Sequence, residues 1–493
     1  MSKEVPMTRI IRIFFCLCLG VLSGCKISLP TKSQLEHLQA PPNIKQAIDK
    51  SLSQRTIFAA GKWPAQQWWL DYQSPELNAL ISESLTNNPS IQEVYSRITV
   101  AQQEAMVMRS ILFPLVFFDA TETRQYLSKN GLFRAFNPSL PLNATLLDLS
   151  LSFSYEFDFW GQNRNLLSEA IGKAKAQKAE AAETKLIITT ALSQAYFAYK
   201  TNLMRKHLYV KLVNLRTQVA HLHNLLLRKG LSSRLPALTA AENVLEANKL
   251  LASINEELSN NQHLINVLAG RGPDSPLTMT SRLPQLPQRL QIPATISLDL
   301  IARRPDLMAQ IWRAKAWAYK TGAAMSAYYP NVNLVGFIGL ESLAWAKFFK
   351  IASSTAGLKP AIHLPIFTAG AIRANIRATK AEFDAAIFAY NNLLLRSTQE
   401  ILDVLVFAQT TYQHNREQDE IVHYAEQRYH LVHLRSQKGL DSQFAVYALQ
   451  EELIQTELVK IMLLYNQYLA SIKLTKALGG GYHQPQVPLV KKI

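Results

Sequence analysis

The sequence predicts a duplicated α+β membrane protein in which each half supplies a strand pair and a long helical hairpin. Three observations carry this reading: an export signal with no later apolar run long enough for a transmembrane helix, thirteen residues of strict alternation, and Pro and Gly positions that recur at matched intervals. At 493 residues, 48% hydrophobic and 18% charged, the chain is too long for one ordinary core and too apolar to be disordered.

The first element is the signal. Lys3, Arg9 and Arg12 precede ten residues, Ile13 to Leu22, that are all apolar or glycine, a length suited to a signal h-region and too short to span a bilayer. The run ends in Leu22-Ser23-Gly24-Cys25, which resembles the bacterial lipobox, where small residues admit a peptidase and the cysteine becomes the lipid attachment point. Residues 1–24 are therefore expected to be removed, Cys25 to carry lipid, and 25–73 to form a lipidated N-terminal segment. By the same resemblance, Lys26 in place of Asp implies sorting to the outer membrane. Cys16 and Cys18 lie inside the signal, so a disulfide framework in the mature chain is excluded. With no apolar helix to follow, any spanning structure must be a β-barrel.

The repeat is read from punctuation. Asn88-Pro89-Ser90-Ile91 is matched by Arg304-Pro305-Asp306-Leu307, and the interval from Pro89 to Pro114 equals that from Pro305 to Pro330. The interval from Gly161 to Gly230 equals that from Gly370 to Gly439, and the step from Gly230 to Gly270 equals that from Gly439 to Gly479. The first repeat is placed at 74–272 and the second at 296–479, joined by a linker at 273–295 and followed by a tail at 480–493. In each, a proline-opened helix, 89 to about 111 and 305 to about 328, leads into extended segments.

Strands are expected at about 115–160 and 331–367. From Leu147 to Phe159 every odd position is apolar, and Asp148, Ser150, Ser152, Ser154, Glu156 and Asp158 fill the even ones. In a barrel the even residues would line the lumen and the odd ones face lipid, with Phe157, Phe159 and Trp160 at the interface. The second half repeats the pattern more faintly, with Val332, Leu334, Ile338 and Leu340 on one face and Leu358, Ile362, Leu364 and Ile366 on another. Four strands are too few to close a barrel, so several chains are required.

Helical hairpins follow at about 161–270 and 370–478. Their first arms run without proline for roughly 100 Å at a rise of ~1.5 Å per residue, so they must lie alongside partners. Gly230 and Gly439 mark the tips as C-caps. Tip charges are Arg228, Lys229 and Arg234 in the first hairpin and Lys438 and Asp441 in the second; Arg234 and Asp441 are expected to pair between neighbouring hairpins.

No phosphate loop, zinc helix or nucleophile elbow occurs, which argues against an enzyme and implies no cofactor. His430 and His433 share a helix face but lack a third ligand nearby. The net charge of +16 is spread along helices, as at Lys173, Lys175, Lys178 and Lys185, which favours a solvated face over nucleic-acid binding.

Taken in order, Trp68-Trp69, Ser74-Pro75-Glu76-Leu77, Asn87-Asn88-Pro89, Ala302-Arg303-Arg304-Pro305-Asp306, Leu364-Pro365-Ile366-Phe367 and Leu478-Gly479-Gly480-Gly481 give the chain its family likeness. It resembles the TolC/OprM-type outer-membrane efflux channels of the NodT-like lipoprotein branch. The resemblance implies a homotrimer whose 12-stranded β-barrel continues into a periplasmic α-helical tunnel, girdled by a mixed segment that here would include Ser281 to Thr295. It also implies an exit channel for drugs or other small compounds, working with a periplasmic adaptor protein and an inner-membrane transporter, in contact with outer-membrane lipid. Gly230, Leu231, Arg234, Gly439, Leu440 and Asp441 would form the periplasmic tips. The acidic residues that such channels carry six and nine positions past the tip glycine are replaced by Pro236, Thr239, Ala445 and Ala448. An exit duct for type I protein secretion would use the same tunnel, whereas a periplasmic coiled-coil scaffold would have no need of the alternating strand.

If Cys25 is the lipid attachment point, Cys25→Ala abolishes incorporation of labelled fatty acid. Persistent labelling of the variant would refute the assignment.

Overall fold

The computed structural model describes residues 39–483 except 41, 54–56, 140, 281, 288 and 294–298. The expected signal peptide, Cys25, Ser281, Thr295 and the tail past His483 lie outside the described residues. The first repeat is preceded by α1 (Lys45–Ser53), β1 (Phe58–Gly61) and a 3-10 turn at Trp68–Tyr72. It continues through α2 (Pro75–Asn87), α3 (Pro89–Ser110), β2 (Leu115–Tyr126), β3 (Asn143–Phe157), α4 (Gln162–Arg228) and α5 (Arg234–Ala269). After β4 (Leu290–Pro293) come α6 (Pro305–Ser326), β5 (Asn331–Ser342), β6 (Ser354–His363), α7 (Ala371–Gln437) and α8 (Gln443–Ala477).

Duplication is visible in the lengths. α3 and α6 each have 22 residues, β2 and β5 have 12, α4 and α7 have 67, and α5 and α8 have 36 and 35. Pro89 and Pro305 open their helices from the first turn, where no backbone donor is lost. The repeats do not fold apart, since the chain from Ala40 onward forms one unit. The cause is interleaving: α4 packs on α5, α3, α6 and α8, and α7 packs on α6 and α8.

Strands β2, β3, β5 and β6 form one antiparallel sheet in the order β2-β3-β5-β6. β3 begins at Asn143, before the alternation becomes regular, and stops at Phe157 rather than Phe159. β6 stops at His363, so Leu364 and Ile366 lie beyond it, contrary to the sequence expectation. Pro365 has no N–H to donate to a ladder, and the turn into α7 follows directly. A second, two-stranded sheet pairs β1 with β4 in parallel. Its four-residue strands are too short to carry a period and went unseen in the sequence.

The main core lies at the equator. Trp68, Trp69 and Tyr72 from the 3-10 turn pack with Leu77 and Ile81 of α2, Leu192, Tyr196 and Phe197 of α4, and Tyr468 and Ile472 of α8. Phe197 stacks on Tyr468 at 4.1 Å and meets Tyr72 edge-on at 4.9 Å. Below it, Leu208, Leu212, Ile454 and Leu458 continue a narrower seam between the hairpins.

Both hairpins return to the same corner. Gly270 (φ +82°) would place a Cβ 2.7 Å from the carbonyl oxygen of Asn87, and Gly479 (φ +86°) would place one 2.0 Å from that of Arg303. The side chains that follow take up the last helical carbonyls: Asn88 Nδ2 donates to Leu268 at 2.8 Å, and Arg304 Nη1 donates to Ala477 at 3.0 Å. Gly270→Ala and Gly479→Ala should each cost more than about 2 kcal/mol, because left-handed strain and a backbone clash add. Gly230→Ala, with nothing within 4 Å, should cost only the strain, about 1 kcal/mol. Thermal denaturation of the three variants checks the order.

Candidate channel wall and tunnel entrance

Register divides the large sheet into two faces, because directly opposed residues point to the same side. Leu149, Leu151, Phe153, Tyr155 and Phe157 oppose Leu340, Ile338, Gly336, Leu334 and Val332 on β5, and these oppose Ser354, Ala356, Leu358, Pro360 and Ile362 on β6. On β2, Val116, Phe118 and Ala120 join the same apolar face. Most of it is uncovered, with Ile338, Phe118 and Ile362 all exposed.

The other face carries Asp148, Ser150, Ser152, Ser154 and Glu156, next to Asp119 and Thr121 of β2 and Asn333 and Glu341 of β5. Ser150 donates to Asp148 at 2.8 Å, Ser152 to Asp119 at 3.4 Å, and Asn331 to Glu156 at 2.6 Å. It is not uniformly polar. Phe117 and Phe337 flank Ser152 in the register, and the Phe337 ring occupies the space above Gly357. The sequence missed these two because each sits in a run of mixed apolar residues without clean alternation.

Asp158 does not belong with the other even residues. It lies past the end of β3, and its carboxylate accepts from the backbone N–H of Asn163 (3.1 Å) and Arg164 (2.9 Å) and from Arg164 Nε (3.1 Å). The acid therefore satisfies two of the free donors that open the 67-residue α4 and complements its dipole. Beside it Trp160 donates to the Pro330 carbonyl at 2.8 Å and stacks on Tyr329 at 4.7 Å, joining the two repeats where sheet becomes helix.

At the equator two buried cations hold the irregular segments. Lys200, almost wholly buried, donates to the Thr280 carbonyl at 2.6 Å and to that of Arg282 at 3.3 Å, and it pairs with Glu76. Burial alone would raise the Glu76 carboxyl; the bonds from Lys200, Thr280 and Tyr196 reverse that and hold it below the usual range. Arg304 forks onto Asp306 at 2.8 and 3.1 Å and reaches Glu400 at 2.8 Å. Burial opposes its charge, but the two carboxylates outweigh it and keep the guanidinium firmly protonated. Glu183 lies in the same field, and burial first, then the charge of Asp306, pushes its carboxyl up to about 7.

At the far end, α4 and α7 close in identical turns. Leu231 N–H reaches back to Leu226 and Gly230 to Leu227, as Leu440 does to Arg435 and Gly439 to Ser436. The turns leave Leu231 and Leu440 exposed. Asp441 is held by Arg435 of its own hairpin, at 2.6 and 3.3 Å, and Arg435 is the main cause of its lowered pKa. Arg234, exposed at the start of α5, has no ion pair among the described residues. Within the chain Asp441 therefore pairs with Arg435 and not with Arg234, because an arginine on the same tight turn closes with less lost entropy than one on another hairpin.

The profile of a family described as outer membrane efflux protein matches residues 80–271 and 297–480. The chain is 28% identical over 492 residues to the multidrug resistance outer membrane protein MdtP of Escherichia coli (strain K12), covering 98% of both. It is 27% identical to the outer membrane protein VceC from Vibrio cholerae, with a TM-score of 0.74 over 85% of this chain and 100% of that one. The outer-membrane channel OprN shares the fold at a TM-score of 0.80 and 20% identity, over 92% of this chain and 98% of that one.

Glu183 gives the equator a defined pH response. Its carboxyl rises from 4.5 in the unfolded chain to about 7 in the folded one, so its protonated form favours folding. That contribution is complete below 4.5 and is lost as pH rises through 7. Glu183→Gln should therefore gain on the parent protein as pH rises across this window, by up to about 3 kcal/mol. Paired melting curves at pH 4.5 and 7.5 test this; a constant difference between the two proteins would contradict it.

Proposed function

The chain belongs to the outer membrane efflux protein family, and from that premise we propose that it works as a homotrimer passing drugs or other small compounds from the periplasm to the exterior. It is an efflux channel of the outer membrane. The observation that carries the trimeric reading is the four-stranded sheet: β2 and β6 both end it with an unpaired edge, and its apolar face is left bare. Three such sheets joined edge to edge make 12 strands with no free edge. The apolar face then meets lipid, and the face bearing Asp148, Ser150, Ser152, Ser154 and Glu156 lines water.

Transport in this reading needs no chemistry on the substrate. The barrel lumen continues into the tunnel formed by α4, α5, α7 and α8, and an inner-membrane transporter drives solute through a periplasmic adaptor protein. The adaptor would meet the tips at Gly230, Leu231, Gly439 and Leu440, where exposed leucines stand on rigid turns. Arg435–Asp441 braces the second turn from within. Cys25 would add a lipid anchor beside the barrel. Drugs are favoured as substrates by the name of MdtP, a relative that spans nearly the whole chain.

The purified protein in planar bilayers should conduct as a trimer. Water-soluble thiol reagents should label Ser152→Cys far faster than Leu151→Cys, and Leu151→Arg near the bilayer centre should cost about 2–4 kcal/mol while Ser152→Arg changes conductance instead. Equal labelling at 151 and 152 would overturn the assignment of faces.

A further inference from the structure

The connection between β5 and β6 has a composition unlike the rest of the molecule. From Leu343 to Ser353 it contains no Asp or Glu, while Lys347 and Lys350 give it two positive charges. Leu343, Trp345, Phe349 and Ile351 are exposed there, Ile351 at 91%. The β2–β3 connection, 127–142, is likewise free of acids and carries Lys129 and Arg134, with Leu132 and Phe136 exposed. Each connection therefore combines bare apolar side chains with cations, at the end of the sheet remote from the helices.

Strand length places this end. A membrane-spanning strand needs about 9–11 residues. Counting ten residues back along β3 from Phe157, beside the interfacial Trp160, reaches Leu147, whose partner across the ladder is Ser342. Leu343 is the next residue, so the connection begins at headgroup depth. Its backbone turns there: Trp345–Phe348 form a single helical turn, and Lys350 N–H donates to the Lys347 carbonyl at 3.1 Å. Lys347 lies in this turn and Lys350 two residues past it.

We propose that the β5–β6 connection is a binding surface for anionic phosphate lipid headgroups, with Lys347 and Lys350 on the phosphate and Trp345, Phe349 and Ile351 in the acyl boundary. The proposal rests on the barrel orientation given under Proposed function. An aromatic and cationic segment is suited to an anionic lipid surface, where apolar burial and charge attraction act together. Folding the connections over the pore mouth would instead gather the lysines of three chains near one axis. Attraction to the carboxylates of the lumen would offset that repulsion, yet neither Lys347 nor Lys350 reaches a carboxylate among the described residues, although Glu341 stands near the end of β5.

Native mass spectrometry of the full-length trimer, titrated in detergent with dioleoyl phosphatidic acid or dioleoyl phosphatidylcholine, tests this. The parent protein should retain phosphatidic acid in preference, and Lys347→Gln and Lys350→Gln should each weaken that retention about fivefold, leaving phosphatidylcholine unaffected. Inorganic phosphate at equal concentration should not compete. Equal retention of the two lipids, or unchanged retention in the variants, would overturn the proposal even with a conducting trimer. A variant that alters conductance while keeping its lipid preference would place the lysines on the pore and also overturn it. A parent protein that shows the lipid preference but fails to conduct would count against the channel reading alone.

Discussion

Everything in this molecule hangs from two glycine contacts at the equator. Gly270 and Gly479 end the returning arms of the hairpins in the left-handed region, with their α-carbons against the backbone of Asn87 and Arg303. Only a residue without Cβ allows that approach. It puts the last carbonyls of α5 and α8 within reach of Asn88 and Arg304, immediately before the prolines that open α3 and α6. A helix of 67 residues amplifies any error in its anchoring, so the place where the hairpin closes on its own repeat decides where the tip lies.

The two repeats solve this corner with different chemistry. In the first, Asn88 is a neutral cap, while Arg271, just past the end of α5, pairs with Glu83 of α2, holding the chain as it leaves the hairpin. In the second, a single buried arginine does both jobs, and three carboxyl groups, Asp306, Glu400 and Glu183, crowd around it. Burial is the main reason Glu183 holds its proton to near neutral pH, and the negative charges of Asp306 and Glu400 add to it against the opposing cations of Arg304 and Lys476. Lys200 plays the comparable part for the linker, tying the carbonyls of Thr280 and Arg282 to the core through a cation that would be costly to bury unpaired.

Function follows from what each end leaves unsatisfied. The sheet has two open edges and one bare apolar face, both costly for an isolated chain in water and both of which the proposed trimer would resolve with lipid and further copies of the sheet. The tips are locally complete in their hydrogen bonds, so they offer rigid, exposed leucines rather than unfolded segments. Between these ends the packed helices bury small residues, Ala174, Ala176 and Ala314 among them.

By itself the sequence determined the duplication, the hairpins and the face of β3, because each depends on periodicity or on Pro and Gly, whose backbone limits are local. The equal spacing from Gly161 to Gly230 and from Gly370 to Gly439 was enough to set both long helices to within a residue or two. What needed tertiary structure were choices between partners. Asp158 continues the alternation perfectly and yet caps α4, because the helix N-terminus beside it is a stronger attraction for a carboxylate than a place in the ladder. Asp441 binds Arg435 and not Arg234, Phe58 of β1 finds Leu290 of β4 from the other side of the first repeat, and Phe117 and Phe337 reach the polar face through register alone. Such outcomes depend on distances across the fold, and no local pattern in the chain encodes them.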